Sequence, residues 1–141
     1  MHEKINGTAL PSVAALAYLG DARHSLYVRY MLVKAGYTKA ADLNRESLGY
    51  VTAEAQAAAY RRIAHLLLED EAAVFKRAHN STHLNKPKKA SGADYRIATG
   101  FEAVIGMLEW IGDTERLEML LCAAYENDNK ISGDIKNDSE N

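Results

Sequence analysis

The sequence predicts an all-α protein with one folded domain, and three observations lead to this prediction. The chain has 141 residues, which is enough for a single domain with its own core. Apolar residues recur at spacings of three and four along most of its length, as on one face of a helix. Capping residues and glycines divide these stretches, and no alternation of apolar and polar residues is long enough to predict a strand.

The first predicted helix begins after Ser12, a capping residue, and ends at Gly36. Its apolar face contains residues at helical spacing: Leu16, Leu19, Ala22, Leu26, Tyr30 and Val33. Gly20 and Asp21 lie in the middle of this helix, although glycine in a helix interior costs about 1 kcal/mol relative to alanine. The pair therefore needs an explanation other than helix stability.

Five more helical segments are predicted after the first. Their approximate ranges are 39–45, 47–68, 70–78, 91–111 and 113–125. Asp70 and Asp113 are candidate caps, and Ser91 with Asp94 three residues later resembles a capping box. Residues 79–91 are rich in Asn, Ser, Thr, Lys and Pro, which predicts a loop.

Charge is distributed unevenly along the chain, whose net charge is −2. Residues 126–141 hold five acids and two bases, with few apolar residues, which predicts a disordered acidic tail after a folded domain over 1–125. Residues 76–96 hold six bases and one acid. An overall acidic protein therefore presents one concentrated basic segment.

The sequence lacks the features of a membrane, secreted or zinc-binding protein. The longest apolar run, 13–19, is too short to cross a bilayer, and the N-terminus has no signal-peptide pattern. Cys122 has no partner for an internal disulfide and is expected to be a small core residue. His79 and His83 have a spacing that can ligate zinc on a helix, but no third ligand is nearby, so phosphate binding or exposure is favoured. We expect a cytoplasmic protein.

Two acids occur near glycines in otherwise apolar helices. Asp21 follows Gly20, and Glu102 lies four residues before Gly106. The buried face of this second helix is predicted to contain Ile97, Phe101, Val104, Ile105 and Leu108. Because glycine has no Cβ, helices that meet at glycines can approach closely.

If these two helices meet, Asp21 and Glu102 converge, and two carboxylates in a small space repel unless a proton or a cation lies between them. Oxygen ligands suit Mg²⁺ or Mn²⁺, which can activate water and stabilise charge on a phosphodiester. The alternative interpretation is that both acids are ordinary solvated residues.

Four stretches of the chain carry a family resemblance: LAYLGDARHSLYVRYMLVKAGYTKAADL, VTAEAQA, FKRAHN and YRIATGFEAVIGML. In this order, over about residues 13–125, they resemble Mini-ribonuclease III, the small bacterial member of the ribonuclease III class. LGDA is similar to the signature helix of that class, and FEAVIG is similar to its second acidic helix.

The resemblance implies an all-α endonuclease domain that acts as a homodimer on double-stranded RNA with Mg²⁺, for which Mn²⁺ can substitute. It also implies maturation of precursor large-subunit (23S) ribosomal RNA, and it leaves room for a ribosomal protein as a partner. Asp21 and Glu102 match the two carboxylates regarded as essential in the class. Asp21 would bind the metal and help to position the attacking water, and Glu102 would be the other protein ligand.

The chain departs from the wider class at two positions, where Ala17 and Thr99 replace acids of the larger ribonuclease III enzymes. We therefore expect fewer protein ligands and more water around the ion. Too few residues follow position 125 for a separate double-stranded-RNA-binding domain, so RNA affinity is expected from the catalytic domain itself.

RNA binding is expected to rest largely on phosphate contacts from the basic segment. The candidate RNA-binding residues are Lys76, Arg77, Asn80, Ser81, Lys86, Lys88, Lys89, Tyr95 and Arg96. Composition alone favours a solvated linker here, but the KRAHN and YR stretches match family positions and favour RNA. Because A-form RNA is read mainly by shape and backbone, weak sequence selectivity is expected.

The candidate dimer patch lies on the first helix around Tyr18, Ala22 and Leu26. Two alternative functions stay open. One is a non-catalytic module that binds double-stranded RNA on the same fold, which Ala17 and Thr99 suggest. The other is a helical adaptor for protein partners, in which both acids are merely solvated.

Overall fold

Helices form almost all of the computed structural model, which describes residues 4–5, 7–81 and 92–125. The described α-helices are α1 (Val13–Lys34), α2 (Ala40–Val51), α3 (Ala53–Ile63), α4 (Glu69–Ser81), α5 (Gly92–Ile111) and α6 (Thr114–Ala124). A 3₁₀ turn, Ala64–Leu66, follows α3, and two short strands, β1 (Lys4–Ile5) and β2 (Thr8–Ala9), precede α1. The predicted all-α class is confirmed.

The core is built around α5. Every residue from Ala103 to Leu108 is buried, and α5 packs against α1, α3 and α4. Its buried face includes Phe101, Val104, Ile105 and Leu108 as predicted, whereas Ile97 is half-buried. The stretch of α5 that follows Glu102 therefore lies against neighbouring helices and not in open solvent.

The helix α1 buries a different face from the predicted one. Its buried residues are Leu16, Ala17, Gly20, His24, Val28 and Leu32. Of the predicted apolar face only Leu16 is buried, and Tyr30 and Val33 are each 60% exposed. The prediction was wrong because the larger apolar side chains lie on a side of α1 that the described helices leave open. The predicted cap is confirmed, since the Ala15 N–H donates to the Ser12 hydroxyl oxygen at 3.1 Å.

The long helix predicted over 47–68 is divided at Thr52. The helix α2 continues to Val51, well past the short piece predicted over 39–45, and α3 begins at Ala53. The Thr52 backbone is extended, with φ −71° and ψ 159°, and its hydroxyl oxygen accepts a hydrogen bond from the Ala55 N–H at 3.2 Å. Thr52 therefore caps α3, while the apolar spacing runs through the break.

The helix α4 extends beyond its predicted range at both ends. Asp70 is not the cap, because it lies inside the first turn of α4. The Glu71 carboxylate of the same turn accepts a hydrogen bond from the Leu68 N–H at 2.9 Å. Glu71, which is 2% exposed, also accepts two hydrogen bonds of 2.8 and 2.9 Å from the Arg116 guanidinium. This ion pair connects α4 to α6. Residues 79–81, predicted as loop, form the last turn of α4.

An N-terminal hairpin was missed by the sequence prediction. Ile5 pairs with Thr8 and Lys4 with Ala9 in antiparallel register, and Gly7 at the turn has a φ of 79°. The Asn-Gly dipeptide at positions 6 and 7 is a known hairpin signal, but strands of two residues are too short to show alternation. The Trp110 indole N–H donates to the Ala9 carbonyl at 2.9 Å and fastens the hairpin to the end of α5.

Several predictions fall outside the described residues: the Ser91 capping box, residues 82–91 of the loop and the acidic tail over 126–141. Inside the described ranges, Asp113 caps α6 as predicted, by accepting a hydrogen bond from the Arg116 N–H at 3.2 Å. Cys122 is exposed, which contradicts its expected core position. None of the described helices is both long enough and apolar enough to cross a membrane.

Candidate active site

The helices α1 and α5 make close backbone contact at two glycines. A Cβ on Gly20 would overlap the backbone carbonyl of Glu102, and a Cβ on Gly106 would overlap the carbonyl of Leu16. Only glycine fits at either position without moving a helix. Gly20 therefore lowers the intrinsic stability of α1 but permits the contact that brings Asp21 near Glu102. Gly100, by contrast, faces the ring of Phe75 on α4.

The carboxyl groups of Asp21 and Glu102 meet beside this glycine contact. Asp21 is exposed, Glu102 is half-buried, and the two side chains are hydrogen-bonded to each other. Burial is the largest cause that raises the pKa of Glu102 to about 9; the hydrogen bond with Asp21 and the Asp21 charge add to it, and Gln56 opposes it. Without a cation between the two groups, Glu102 therefore carries a proton at neutral pH.

A buried polar network lies behind Glu102. The amide nitrogen of Gln56 lies 3.4 Å from Glu102 Oε2 and 3.4 Å from His24 Nδ1. His24 Nε2 in turn lies 2.5 Å from the Tyr125 hydroxyl oxygen. Burial lowers the pKa of His24 to about 4, against an opposing effect of the Asp21 charge, so the ring is neutral at pH 7.

The sequence prediction gave no role to His24 or Gln56. His24 is the one ionisable residue on the buried face of α1, and Gln56 stands among alanines and is 2% exposed. Both signals become visible only when the buried faces of α1 and α3 are known. Because most of the predicted face of α1 is not its buried face, His24 did not stand out.

The donor groups of Asp21 and Glu102 fit a hard divalent cation. Carboxylate oxygens are ligands that Mg²⁺ and Mn²⁺ prefer, and the two carboxyl groups lie within hydrogen-bond reach of each other. Over 7–81 and 92–125, no group of three or more His, Cys, Asp or Glu side chains is placed to hold a metal. Ala17 is buried, and the Thr99 hydroxyl donates to the Tyr95 carbonyl at 3.0 Å. Protein ligands to such a cation would therefore be the two carboxylates.

Four of the candidate RNA-binding residues lie at the end of α4 and not in a loop. Their side chains are all exposed: Lys76, Arg77, Asn80 and Ser81. The Asn80 amide is hydrogen-bonded to the His79 ring at 3.2 Å, and the Ser81 hydroxyl donates to the Ala78 carbonyl at 2.9 Å. The structure therefore groups these four side chains on one exposed, basic helix end.

Tyr95 and Arg96 lie near the start of α5, where Tyr95 is half-buried and Arg96 is exposed. Tyr95 precedes Glu102 by seven positions, so it lies on the same face of α5 about 10 Å before it. The remaining candidates lie outside the described residues, as does one histidine of the rejected zinc pair: Lys86, Lys88, Lys89 and His83.

The exposed side of α1 carries apolar side chains next to Asp21. Tyr18 is 86% exposed, Leu26 is 48% exposed, and Ala22 between them is exposed as well. The predicted dimer patch therefore belongs to the surface of the single chain and not to its core. Tyr18 lies three residues before Asp21, one helical turn away.

Comparison with known proteins gives consistent results. The family model of the Ribonuclease III domain matches residues 14–114. Mini-ribonuclease 3 of Symbiobacterium thermophilum is 43% identical over 121 residues, which are 86% of this chain and 92% of that protein. Mini-ribonuclease 3 of Streptococcus pneumoniae is 42% identical over 113 residues, 76% of this chain and 85% of that protein. A crystal structure of a protein from Fusobacterium nucleatum is similar with a TM-score of 0.75 and 28% identity, covering 83% and 93% of the two chains.

The residues that match the family model include both carboxylates and both glycines of the α1–α5 contact. The relatives extend over most of this chain, and this chain extends over most of theirs. The chain therefore belongs to the ribonuclease III domain family and, within it, to the Mini-ribonuclease 3 group of endoribonucleases.

Proposed function

We propose that this endoribonuclease cleaves double-stranded RNA in a reaction that depends on Mg²⁺, for which Mn²⁺ can substitute. The observation that carries the proposal is the meeting of the Asp21 and Glu102 carboxyl groups beside the glycine contact of α1 and α5. Membership of the family supports hydrolysis of an RNA phosphodiester as the reaction. The two carboxylates would hold the ion.

The two carboxylates have different roles in this proposal. Asp21 is exposed, so it can reach both the ion and the water that attacks the phosphodiester. Glu102 is half-buried and is held from behind by Gln56, so it provides a fixed ligand. A bound Mg²⁺ would supply Lewis-acid activation of water and compensation for the charge that develops on the phosphate. Glu102 must lose its proton to act as a ligand.

The exposed end of α4 and the start of α5 are proposed to hold the RNA backbone. Lys76, Arg77 and Arg96 are exposed cationic side chains on these two helices, which pack against each other. Phosphate contacts of this kind predict an affinity that falls steeply with salt and little dependence on sequence. The proposed substrate is a precursor of large-subunit (23S) ribosomal RNA in the cytoplasm, with a ribosomal protein as an additional partner, and it rests on the resemblance to the family.

A homodimer is proposed because a duplex has two strands and one such site cuts one of them. The exposed patch of Tyr18, Ala22 and Leu26 is the surface that a second copy would cover. Since Tyr18 and Ala22 of this patch lie within one turn of Asp21, a two-fold dimer through it would bring two pairs of carboxylates near a shared RNA duplex.

The experiment compares two isosteric amides with two matched controls in a duplex-RNA cleavage assay with Mg²⁺. We expect Asp21→Asn and Glu102→Gln each to lower the cleavage rate by about a thousandfold or more, because each removes a carboxylate that the ion needs. Asp70→Asn and Glu115→Gln change exposed acids on α4 and α6 in the same way, and they should cleave at the wild-type rate. Circular dichroism verifies that all four variants remain helical.

Full activity of Asp21→Asn or Glu102→Gln would refute the assignment of these residues. Duplex binding that weakens with salt, without turnover at any concentration of Mg²⁺ or Mn²⁺, would favour a non-catalytic RNA-binding module instead. If neither the wild type nor Arg77→Ala binds RNA in a gel-shift assay, a protein adaptor is favoured.

A further inference from the structure

The polar network behind Glu102 is buried to an extent that needs a physical reason. His24 on α1 is 0% exposed and Gln56 on α3 is 2% exposed, although the other buried residues of α1 and α5 are small or apolar. A buried polar group costs free energy unless it is hydrogen-bonded. Apolar residues of the same size would fill this space without that cost. Each buried side-chain nitrogen and oxygen of the described residues does have a hydrogen-bond partner.

The hydrogen-bonding capacity of the Gln56 amide fixes the state of the His24 ring. An amide nitrogen carries two hydrogens and accepts no hydrogen bond. The Gln56 nitrogen lies 3.4 Å from both Glu102 Oε2 and His24 Nδ1, so it donates one N–H to each. His24 Nδ1 must therefore be the unprotonated acceptor, and the ring hydrogen lies on Nε2, which donates to the Tyr125 hydroxyl oxygen at 2.5 Å.

The opposite orientation of the amide would be incompatible with an ionised Glu102. It would turn the Gln56 carbonyl oxygen toward the Glu102 carboxylate, and two acceptors cannot share a hydrogen bond. It would also require a hydrogen on His24 Nδ1. The amide orientation that favours an ionised Glu102 therefore requires the Nε2–H form of His24.

We propose that His24 is a positioning residue for the divalent-cation site: its Nδ1 fixes the Gln56 amide, whose second N–H holds the ionised Glu102 beside Asp21. Tyr125 completes the arrangement by accepting the Nε2–H. This inference rests on the proposed metal site, and it adds His24 and Tyr125, which act on Glu102 through Gln56 and do not touch the ion. Partners of this kind orient a ligand and raise its affinity for a metal.

The experiment measures Mn²⁺ binding to the full chain by titration with electron paramagnetic resonance of free Mn²⁺, together with single-turnover cleavage and RNA affinity. His24→Phe keeps an aromatic ring but removes the acceptor. His24→Asn places an amide oxygen where Nδ1 lies and so restores it. Val28→Ala is the matched control, because Val28 is fully buried one turn further along α1 and has no part in the network.

We expect His24→Phe to weaken Mn²⁺ binding by about tenfold or more and to slow cleavage without changing the affinity for RNA. His24→Asn should recover most of both losses. Val28→Ala should lower the melting temperature and leave Mn²⁺ affinity unchanged. Equal Mn²⁺ affinity of His24→Phe and wild type, or an equal loss in His24→Asn and His24→Phe, would overturn the proposal.

A measurement on the wild-type chain keeps the proposal testable if His24→Phe does not fold. With saturating Mg²⁺ at neutral pH, nitrogen-15 NMR of the His24 ring should show hydrogen on Nε2 and none on Nδ1, and hydrogen on Nδ1 would overturn the proposed role. Wild-type protein that binds no Mn²⁺ would refute the metal site itself, whereas wild-type binding with unaffected His24 variants would refute only the role of His24.

Discussion

Gly20 shows at the scale of one residue how the site depends on a missing side chain. The Cβ of Gly20→Ala would overlap the backbone of α5, which cannot move aside as the end of a side chain can. We expect this substitution to lower the free energy of unfolding by about 3 kcal/mol, the upper part of the usual range for overpacking, and to separate Asp21 from Glu102. Urea denaturation followed by circular dichroism measures the change.

Gly49→Ala is the matched control for Gly20→Ala. Gly49 lies inside α2, and a Cβ there would meet nothing within 4 Å. Alanine should therefore stabilise the chain by up to about 1 kcal/mol through its higher helix propensity. A similar response at positions 20 and 49 would mean that the α1–α5 contact tolerates a Cβ, and that proximity of the carboxylates does not depend on glycine.

Residues differ in how far their roles could be predicted from the sequence. Asp21 and Glu102 were recognisable because each is a single acid near a glycine in an apolar helix, and the structure places them together as predicted. Gln56 and His24 were not recognisable, because their hydrogen bonds join α1, α3, α5 and the residue after α6. No local pattern in the sequence records a contact among four separate segments.

Thr52 determines the boundary between α2 and α3, and its hydroxyl can be removed to test this. Thr52→Ala deletes the oxygen that accepts the Ala55 N–H, so we expect a loss of about 1 kcal/mol in the free energy of unfolding. Ser47→Ala is the control, since the Ser47 hydroxyl donates only to the Asn44 carbonyl within α2. Chemical denaturation should show a loss for Thr52→Ala and little change for Ser47→Ala; equal effects would contradict the capping role.

Whole helices were easier to predict than their ends and faces. The helices α1, α5 and α6 were predicted close to their observed ranges because each begins after a capping residue or a polar segment. The joint at Thr52 was missed because apolar spacing continues through it. The buried face of α1 was wrongly predicted because small and polar residues, Gly20 and His24 among them, are what fits against α5.

The exposed apolar patch of α1 can be tested at the scale of the whole molecule. If two copies associate through Tyr18, Ala22 and Leu26, Tyr18→Arg should convert a dimer into a monomer, because it replaces the most exposed apolar side chain of the patch with a charge that the contact would bury. Leu68→Arg is the control. Leu68 is also a large exposed apolar residue, at 59%, but it lies directly before α4 and outside the patch. Sedimentation velocity measures the oligomeric state of both variants and of the wild type.

We expect wild type and Leu68→Arg to sediment as dimers and Tyr18→Arg as a monomer with the same helical content. Monomeric wild-type protein, or dimeric Tyr18→Arg, would contradict the proposed interface.

The fold class was predictable because apolar spacing and capping residues indicate helices. The packing of these helices was not, since an apolar strip that faces solvent has the same sequence pattern as one that faces a core.

Trp110 has a consequence for how the molecule can be observed. It is the only tryptophan of the chain, and its indole is held against the Ala9 carbonyl while remaining 52% exposed. Tryptophan emission therefore follows the attachment of the N-terminal strands, whereas far-ultraviolet dichroism follows the helices. Detachment of the N-terminal arm and melting of the helical body would thus give two separate optical signals.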